Sequence, residues 1–419
     1  MASVLVAKAT ASSLGRKSMS GQTWYQVPRA VGCIIIQQRD ASTNVPTKLS
    51  SMKRGTGGRS SFSGIVATVF GASGYLGKYV CNKLGKIGSQ IIIPYRGDQT
   101  YIERLRLTGD LGQVLFFPFE LRDEESIRKT VQYSNVVINL VGRQYETRNY
   151  NFHDVHVAGA RRLAKISKEC GVEKFIHISH LNAKAEPQKV WETSRILKTK
   201  YESELAVREE FPEAIIFKPS DMFGAEDNFL NYYTNRLRWS WYGRFSLFSD
   251  HIRGIPLWQR GERTIKQPVF VSDVAEGIIK AIQNPDMVGQ TIQCVGPQRY
   301  YLADIVDFII NVVRREDVLV RSGYMFVPRL RAKLYNSLPM GRWYNTEKLE
   351  MEALTDWTVP GNLTLEDLGV TLTQFDDMAR FFLKSKRRFA YYQEELGEFD
   401  EAPSPKPAEF YQDKSLQIR

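Results

Sequence analysis

A short apolar run followed at once by three spaced glycines constrains the fold of this chain more than any other feature. Residues 65–70 read Ile-Val-Ala-Thr-Val-Phe, a run typical of a buried parallel strand, and a helical pattern of apolar residues occupies 79–87. Between them, Gly71 permits a tight turn, Gly74 lets the backbone approach a pyrophosphate, and Gly77 lets helix and strand pack closely. Because the glycines lie between a strand and a helix, they predict a dinucleotide-binding turn that comprises Gly71, Ala72, Ser73, Gly74, Tyr75, Leu76 and Gly77.

Strands and helices alternate along the rest of the first 300 residues. Apolar strand patterns occur at 90–95, 114–119, 135–141, 175–179 and 214–218, with helical patterns near 123–132, 154–169 and 197–210. This alternation predicts an α/β fold of Rossmann type, a doubly wound parallel sheet that binds its ligand at the carboxyl ends of the strands. We expect a smaller, mixed C-terminal subdomain after it.

The charge at the end of the second strand bears on the choice of dinucleotide. An NAD site normally has an acidic residue there for the ribose 2′-hydroxyl, whereas this chain has Arg96, which suits a 2′-phosphate. The sequence therefore favours NADP(H), with NAD(H) as the alternative. An arginine that is merely solvated at a strand end would look the same.

The first 60 residues are unlike the rest of the chain. They hold nine basic residues and one acidic residue, so they carry +8 of the net charge of +11, and residues 1–39 contain no Asp or Glu. This composition is typical of a mitochondrial or plastid transit peptide, although a disordered basic tail would share it. We favour import into mitochondria and expect a mitochondrial transit peptide and linker over 1–55. Because the remaining body is nearly neutral, no nucleic-acid partner is expected.

Several sequence blocks follow the glycine turn in a fixed order. They are Leu121-Arg122-Asp123, Asn139-Leu140-Val141-Gly142, Ile176-His177-Ile178-Ser179, 218–224 and 268–275. With the turn, they make residues 64–300 resemble the extended short-chain dehydrogenase/reductase superfamily. Within that superfamily, the segments 171–182 and 211–224 are similar to the family of 39 kDa accessory subunits of mitochondrial respiratory complex I.

The resemblance implies a cofactor, a location and a set of partners. It implies tightly bound, structural NADPH, and a peripheral protein on the matrix side of the inner membrane that contacts other complex I subunits. In that family the subunit supports assembly, stability and electron transfer from NADH to ubiquinone near the junction of the matrix and membrane arms. Beside the turn and Arg96, the implied cofactor-binding residues are Leu121, Arg122, Leu140, Val141, Gly142, Ser179, Lys200 and Pro219.

The proton-transfer residue of active relatives has no counterpart in this chain. Active short-chain dehydrogenases use Tyr-x-x-x-Lys, in which lysine lowers the tyrosine pKa. Alignment on Lys200 places Ile196 at the tyrosine position, and alignment on Lys198 places Ser194 there. We therefore expect no catalytic residue and no enzyme activity of the isolated chain, only a role within an enzyme complex. The histidine pairs at 153/156 and 177/180 lack the companions of a metal site, so no metal is expected.

Other functions and surfaces stay open at this stage. The alternatives are a free NADP-dependent reductase or epimerase and an organellar RNA-binding protein on the same fold. The stretch 226–260 mixes aromatic residues with arginines, and 321–344 mixes basic and apolar residues as a peripheral helix on lipid would. We expect a dinucleotide-binding domain at 60–300, a subdomain at 301–393 and an extended acidic, proline-rich tail at 394–419.

Overall fold

The computed structural model describes residues 53–235, 253–315, 318–322, 325–336, 344–392 and 396–408. Most of the predicted transit peptide, residues 236–252 of the aromatic and arginine-rich stretch, and residues 409–419 of the tail lie outside these ranges. The candidate contact at 321–344 is described in part.

The strands of the described residues are short, and most follow the predicted apolar runs. They are β1 (Val66–Phe70), β2 (Gln90–Tyr95), β3 (Val114–Pro118), β4 (Val136–Asn139), β5 (Lys174–Ile178), β6 (Ile215–Pro219), β7 (Met222–Phe223), β8 (Arg253–Pro256), β9 (Ile265–Lys266), β10 (Val269–Phe270), β11 (Thr291–Cys294), β12 (Tyr300–Tyr301), β13 (Val318–Ser322) and β14 (Leu363–Thr364).

The α-helices begin with the one that follows the glycine turn. They are α1 (Tyr75–Lys86), α2 (Glu124–Val131), α3 (Gly159–Glu169), α4 (Arg195–Glu210), α5 (Leu230–Thr234), α6 (Val271–Gln283), α7 (Leu302–Val312), α8 (Phe326–Asn336), α9 (Thr346–Ala353) and α10 (Phe375–Leu383). A π-helical turn, Asp154–Ala158, leads directly into α3.

Eight strands form one sheet in the order β14-β11-β6-β5-β4-β1-β2-β3, and every neighbouring pair is parallel. Parallel strands need crossover connections, which put helices on both faces and bury the strands on both sides. Burial of all five residues of β1 agrees with this arrangement. The predicted doubly wound parallel sheet is confirmed.

The two faces of the sheet pack against different helices because successive strand residues point to opposite sides. Ala67 and Val69 of β1 lie in a core that also contains residues of α1 and α6. Phe70, at the end of the same strand, lies in the other core, with residues of α2, α3 and α4.

A third core lies outside the main sheet. Here the described residues form three small sheets of two strands each: β7 with β10, β8 with β13, and β9 with β12. Phe375 of α10 contacts the aromatic rings of Phe223, Phe229, Tyr300 and Phe308 at its centre. Phe229 belongs to the aromatic stretch at 226–260, so the described beginning of that stretch is core rather than contact surface. The predicted domain boundaries at 300 and 393 stay predictions.

Candidate nucleotide-binding site

The glycine turn lies between β1 and α1 and directly beside the end of β4. Gly71 has a φ of +83°, a left-handed conformation that side chains disfavour. A Cβ added to Gly71 would lie 3.0 Å from the carbonyl carbon and oxygen of Leu140. A Cβ added to Gly77 would lie 2.6 Å from Cα of Ala72. Backbone contacts therefore require glycine at both positions, as the sequence analysis predicted.

The amino end of α1 fits an anion. Its N-cap residue is Gly74, which has no capping side chain, and the first turn contains no acidic residue. Ser73 and Gly74 are exposed, whereas Ala72 and Leu76 are buried and anchor the turn. The first N–H groups of a helix have no intrahelical acceptor and lie at its positive end, which is the environment that a pyrophosphate requires.

Tyr75, the first residue of α1, has a buried hydroxyl. Within the described residues its hydroxyl forms no hydrogen bond, and burial raises the pKa of the phenol far above its ordinary value. This hydroxyl lies against Gly224, where an added Cβ would be 2.3 Å from it, so Tyr75 packs the start of α1 against the segment that follows β7. The turn as a whole fits a dinucleotide.

Arg96 and Arg122, at the ends of β2 and β3, approach the same aromatic ring. Their guanidinium carbons lie 5.4 Å and 4.5 Å from the ring centroid of Tyr150. Arg122 also donates to the carbonyl of Asn149 at 2.8 Å. Both arginines are exposed, and Arg122 also forms an ion pair with Asp154 at 3.4 Å. This corner of the sheet therefore offers Arg96, a partly neutralised Arg122 and a ring face to an adenosine phosphate.

Leu121 lies beside this corner but faces inwards. Its side chain is buried in the core and approaches the backbone of Gly159, and its carbonyl accepts a hydrogen bond from Arg162 at 2.6 Å. Leu121 is therefore held in place by the core, directly before Arg122.

A second group of predicted residues meets where β4 and β5 end. A Cβ on Gly142 would lie 3.7 Å from Nζ of Lys200 and 4.0 Å from Nε2 of His156. Lys200 donates to the carbonyls of Ile178 at 3.3 Å and Ser179 at 3.2 Å. Burial lowers the pKa of Lys200 to about 8, although the neighbouring Glu204 opposes this shift. The ammonium group is therefore positioned by the backbone beside the loop that follows β4.

Ser179 contributes its carbonyl to this group and turns its hydroxyl elsewhere. The hydroxyl donates to Glu204, whose carboxylate forms an ion pair with Lys218 at 3.0 Å. Pro219 is buried at the end of β6, and its carbonyl accepts the N–H of Leu181 at 2.8 Å. The structure thus places Ser179 and Pro219 at the edge of a buried polar network.

His156 is held in one tautomer by its neighbours. Its Nε2 accepts the N–H of Arg143 at 3.2 Å, so its Nδ1 carries the proton and donates to the hydroxyl of Thr199 at 2.9 Å. Burial, with a smaller contribution from Lys200, lowers the pKa of His156 to about 3. This neutral histidine therefore connects the loop after β4 to α4.

Ile196 occupies the first turn of α4, four residues before Lys200 and on the same helix face. Its side chain is only 2% exposed. An isoleucine neither donates nor accepts a proton, so this position supplies packing alone.

The structure brings the predicted residues together in two groups on either side of the glycine turn. Sequence reasoning missed Tyr150 and Thr199, because each acts through a contact distant in sequence and belongs to no motif. Lys218 begins the block 218–224, but its ion pair with Glu204 was not foreseen. Aromatic character close behind the loop after β4 was the only available signal for Tyr150. Among the residues that the structure describes, no group of three His, Cys, Asp or Glu side chains could hold a metal ion.

Comparisons with known proteins agree with this geometry. The NAD dependent epimerase/dehydratase family matches residues 67–296. The NADH dehydrogenase (ubiquinone) 1 alpha subcomplex subunit 9, mitochondrial, of Mus musculus is 46% identical over 345 residues, which cover 82% of this chain and 86% of that protein. The Arabidopsis thaliana protein of the same name is 37% identical over 76% of this chain and 77% of its own.

Solved structures share the fold at low sequence identity. The triphenylmethane reductase of Citrobacter sp. has a TM-score of 0.57 at 16% identity and covers 76% of this chain and 99% of its own. The UDP-glucuronic acid 4-epimerase of Bacillus cereus, solved with UDP-glucuronic acid and NAD, has a TM-score of 0.55 at 14% identity, with 77% and 99% covered.

The neutral state of His156 predicts a pH dependence of stability. Below an unfolded-state pKa of about 6.5 the unfolded chain takes up a proton that the folded chain refuses, so the free energy of unfolding falls as pH drops. With a folded pKa of about 3, this loss amounts to about 2 kcal/mol between pH 7 and pH 5. We expect the free energy of unfolding of His156→Asn to fall by about 2 kcal/mol less than that of the unmodified chain between pH 7 and pH 5. Urea unfolding at both pH values measures this difference. His153→Asn, at an exposed histidine, is the control, and equal pH dependence of all three proteins would contradict the assignment.

Proposed function

The chain belongs to the NAD dependent epimerase/dehydratase family and, within it, to the family of mitochondrial NADH dehydrogenase alpha subcomplex subunit 9 proteins; on that premise we propose that it is an accessory subunit of mitochondrial respiratory complex I that holds NADPH without turning it over. One observation supports binding of NADPH without turnover. The glycine turn at 71–77 is present, whereas the residue four positions before Lys200 is Ile196, which is buried.

The predicted binding residues have distinct roles toward NADPH. The turn at 71–77 holds the pyrophosphate through backbone N–H groups, Arg96 and Arg122 attract the 2′-phosphate, and Lys200 holds the nicotinamide ribose. NADPH supplies a hydride when it reacts. A hydride transfer to a carbonyl also needs a proton, and Ile196 cannot deliver one.

A dinucleotide that is held without reaction stabilises the fold that holds it. Binding to the folded chain alone contributes about 4 kcal/mol when the free ligand is a thousandfold above its dissociation constant. In this proposal, NADPH is a structural component that keeps the subunit folded during assembly. The proposed location is the matrix side of the inner membrane, near the junction of the two arms, where the subunit supports electron transfer from NADH to ubiquinone.

Native size tests the subunit role. We expect the chain to co-migrate with the NADH dehydrogenase band when gently solubilised mitochondrial membranes are separated on a non-denaturing gel. A small species apart from that band, together with NADPH oxidation by the purified chain, would instead favour a free reductase or epimerase. Salt-sensitive retention on RNA would favour the RNA-binding alternative.

Nucleotide preference tests Arg96. Loss of a charge-assisted contact with the 2′-phosphate removes about 1.5–3 kcal/mol, so Arg96→Ala should weaken NADPH binding about 10- to 100-fold and leave NADH binding nearly unchanged. Equilibrium dialysis of the purified chain with each nucleotide measures both affinities. Arg104→Ala, at another exposed arginine, is the control. Equal losses for NADPH and NADH in Arg96→Ala would remove Arg96 from the 2′-phosphate site.

One described surface supports a peripheral contact with lipid. Phe326, Leu330 and Leu334 recur every four residues on α8 and are 66%, 60% and 60% exposed, so they share one solvent-facing side. Residues 318–346 contain five basic residues and no Asp or Glu. On α8 itself, Arg331 is buried, and Arg329 and Lys333 lie 4.0 Å and 3.5 Å from Glu192, so the exposed apolar side chains support this contact more than the charge does. Among the described residues, no helix is long and apolar enough to span a bilayer.

Vesicle flotation tests this surface. Replacement of Phe326, Leu330 and Leu334 by serine together removes most of the apolar contact, so binding to phosphatidylcholine vesicles that contain cardiolipin should fall about 100-fold. The matched control replaces Tyr101, Leu107 and Leu111 by serine, because these side chains are at least as exposed and lie elsewhere. Equal flotation of the α8 variant and the unmodified chain would exclude α8 as the lipid contact.

A further inference from the structure

Two irregular connections carry the residues around Lys200. One follows β4 and contains Gly142 and Gln144, and the other runs through residues 179–194 from β5 to α4. Neither connection contains a long helix or strand that would fix its path. Their conformation therefore depends on what packs against them.

A single C-terminal segment, residues 345–357, contacts both connections, and we name it the docking segment. Asn345 donates from its side-chain amide to the carbonyl of Gln144 at 2.8 Å. Two residues later, Glu347 accepts the hydroxyl of Ser194 at 2.9 Å. Ser194 is the N-cap of α4, so this contact reaches the helix that carries Lys200.

The side chain of Glu350 binds backbone N–H groups in the middle of the second connection. Its carboxylate accepts the N–H of Val190 at 2.6 Å and that of Trp191 at 3.2 Å. Glu350 is only 3% exposed, and its burial raises the pKa of the carboxyl while these N–H donors lower it. Removal of the donors would leave a buried acid without compensation, so the contact fixes the connection and the docking segment together.

Asp356 fixes the start of the same connection. Its two oxygens accept the side-chain amide of Asn182 and the backbone N–H of Gln267, both at 3.0 Å. Asp356 also lies 3.7 Å from Nζ of Lys266, which forms a second ion pair with Asp221 at 3.1 Å. Lys266 and Asp356 are almost fully buried, so this network forms only when the docking segment is in place.

We propose that binding of a dinucleotide at Gly142 and Lys200 and docking of residues 345–357 are energetically coupled, an inference that rests on the nucleotide site proposed above. The docking segment contacts both connections, and the proposed ligand contacts Gly142 in the first connection and Lys200 on the helix that follows the second. Order imposed by either partner lowers the entropic cost of ordering the connections for the other. Linkage is reciprocal, so the factor by which the nucleotide favours docking equals the factor by which docking favours the nucleotide.

Hydrogen exchange of the unmodified chain measures the first half of this coupling. With saturating NADPH, amides of the docking segment should exchange about tenfold more slowly, within the range typical of coupled sites. Amides of α10, which make none of these contacts, serve as the internal reference. Unchanged exchange at 345–357 in a chain that demonstrably binds NADPH would overturn the proposal.

Paired variants of buried carboxylates measure the reciprocal half. Glu350→Gln places an amide against the N–H donors of 190–192 and should raise the dissociation constant for NADPH about tenfold, the same factor. Asp273→Asn is the matched control, since Asp273 is also a buried carboxylate but lies outside the docking segment and accepts the backbone N–H of Thr373 at 2.8 Å. Equal affinities of the two variants would overturn the coupling. If Glu350→Gln does not fold, the exchange comparison on the unmodified chain decides alone.

The two proposals fail in different ways. If the unmodified chain binds no NADPH in equilibrium dialysis, the nucleotide site itself is wrong. If it binds NADPH but the docking segment does not respond, only the coupling is wrong.

Discussion

Parallel pairing of the eight-stranded sheet is the constraint on which the remaining features depend. Since all strands point the same way, every connection that leaves a carboxyl end emerges at one edge. Because both faces are buried, these connections are where the polar groups of several strands can meet. The glycine turn, the two arginines and Lys200 lie together for this reason, although they are spread over residues 71–200. The close approach of Gly71 to Leu140 joins the first of these connections to the loop after β4.

Features formed by residues close together in the sequence could be predicted, whereas contacts between distant residues could not. The turn at 71–77 was predictable because strand, turn and helix are adjacent in the chain and each glycine has a local steric reason. The strands were predictable because apolar β-branched runs bounded by helical patterns have few other solutions. Arg96 could be proposed from the sequence because it directly follows a recognisable strand.

The contacts that complete the candidate site were not predictable in the same way. Tyr150 belongs to no motif, and its position between Arg96 and Arg122 depends on three separate connections. Glu350 and Asp356 read in the sequence as ordinary acidic residues, and acidic residues are usually exposed. Their burial follows from donors about 160 to 175 residues earlier in the chain. Periodicity carries no information on contacts of that range.

The position of β14 ties the end of the chain to the beginning of its fold. Leu363 and Thr364 pair with β11 as the outermost strand of the main sheet, and Leu365, fully buried, belongs to the core that also contains Ala67. A ribosome or a translocation pore delivers the chain amino end first. The sheet therefore cannot be completed by β14 until nearly nine-tenths of the 419 residues have emerged. Such long-range closure slows folding. It also means that a premature stop before residue 363 would strip the first-formed sheet of an edge strand, rather than remove a separable appendage.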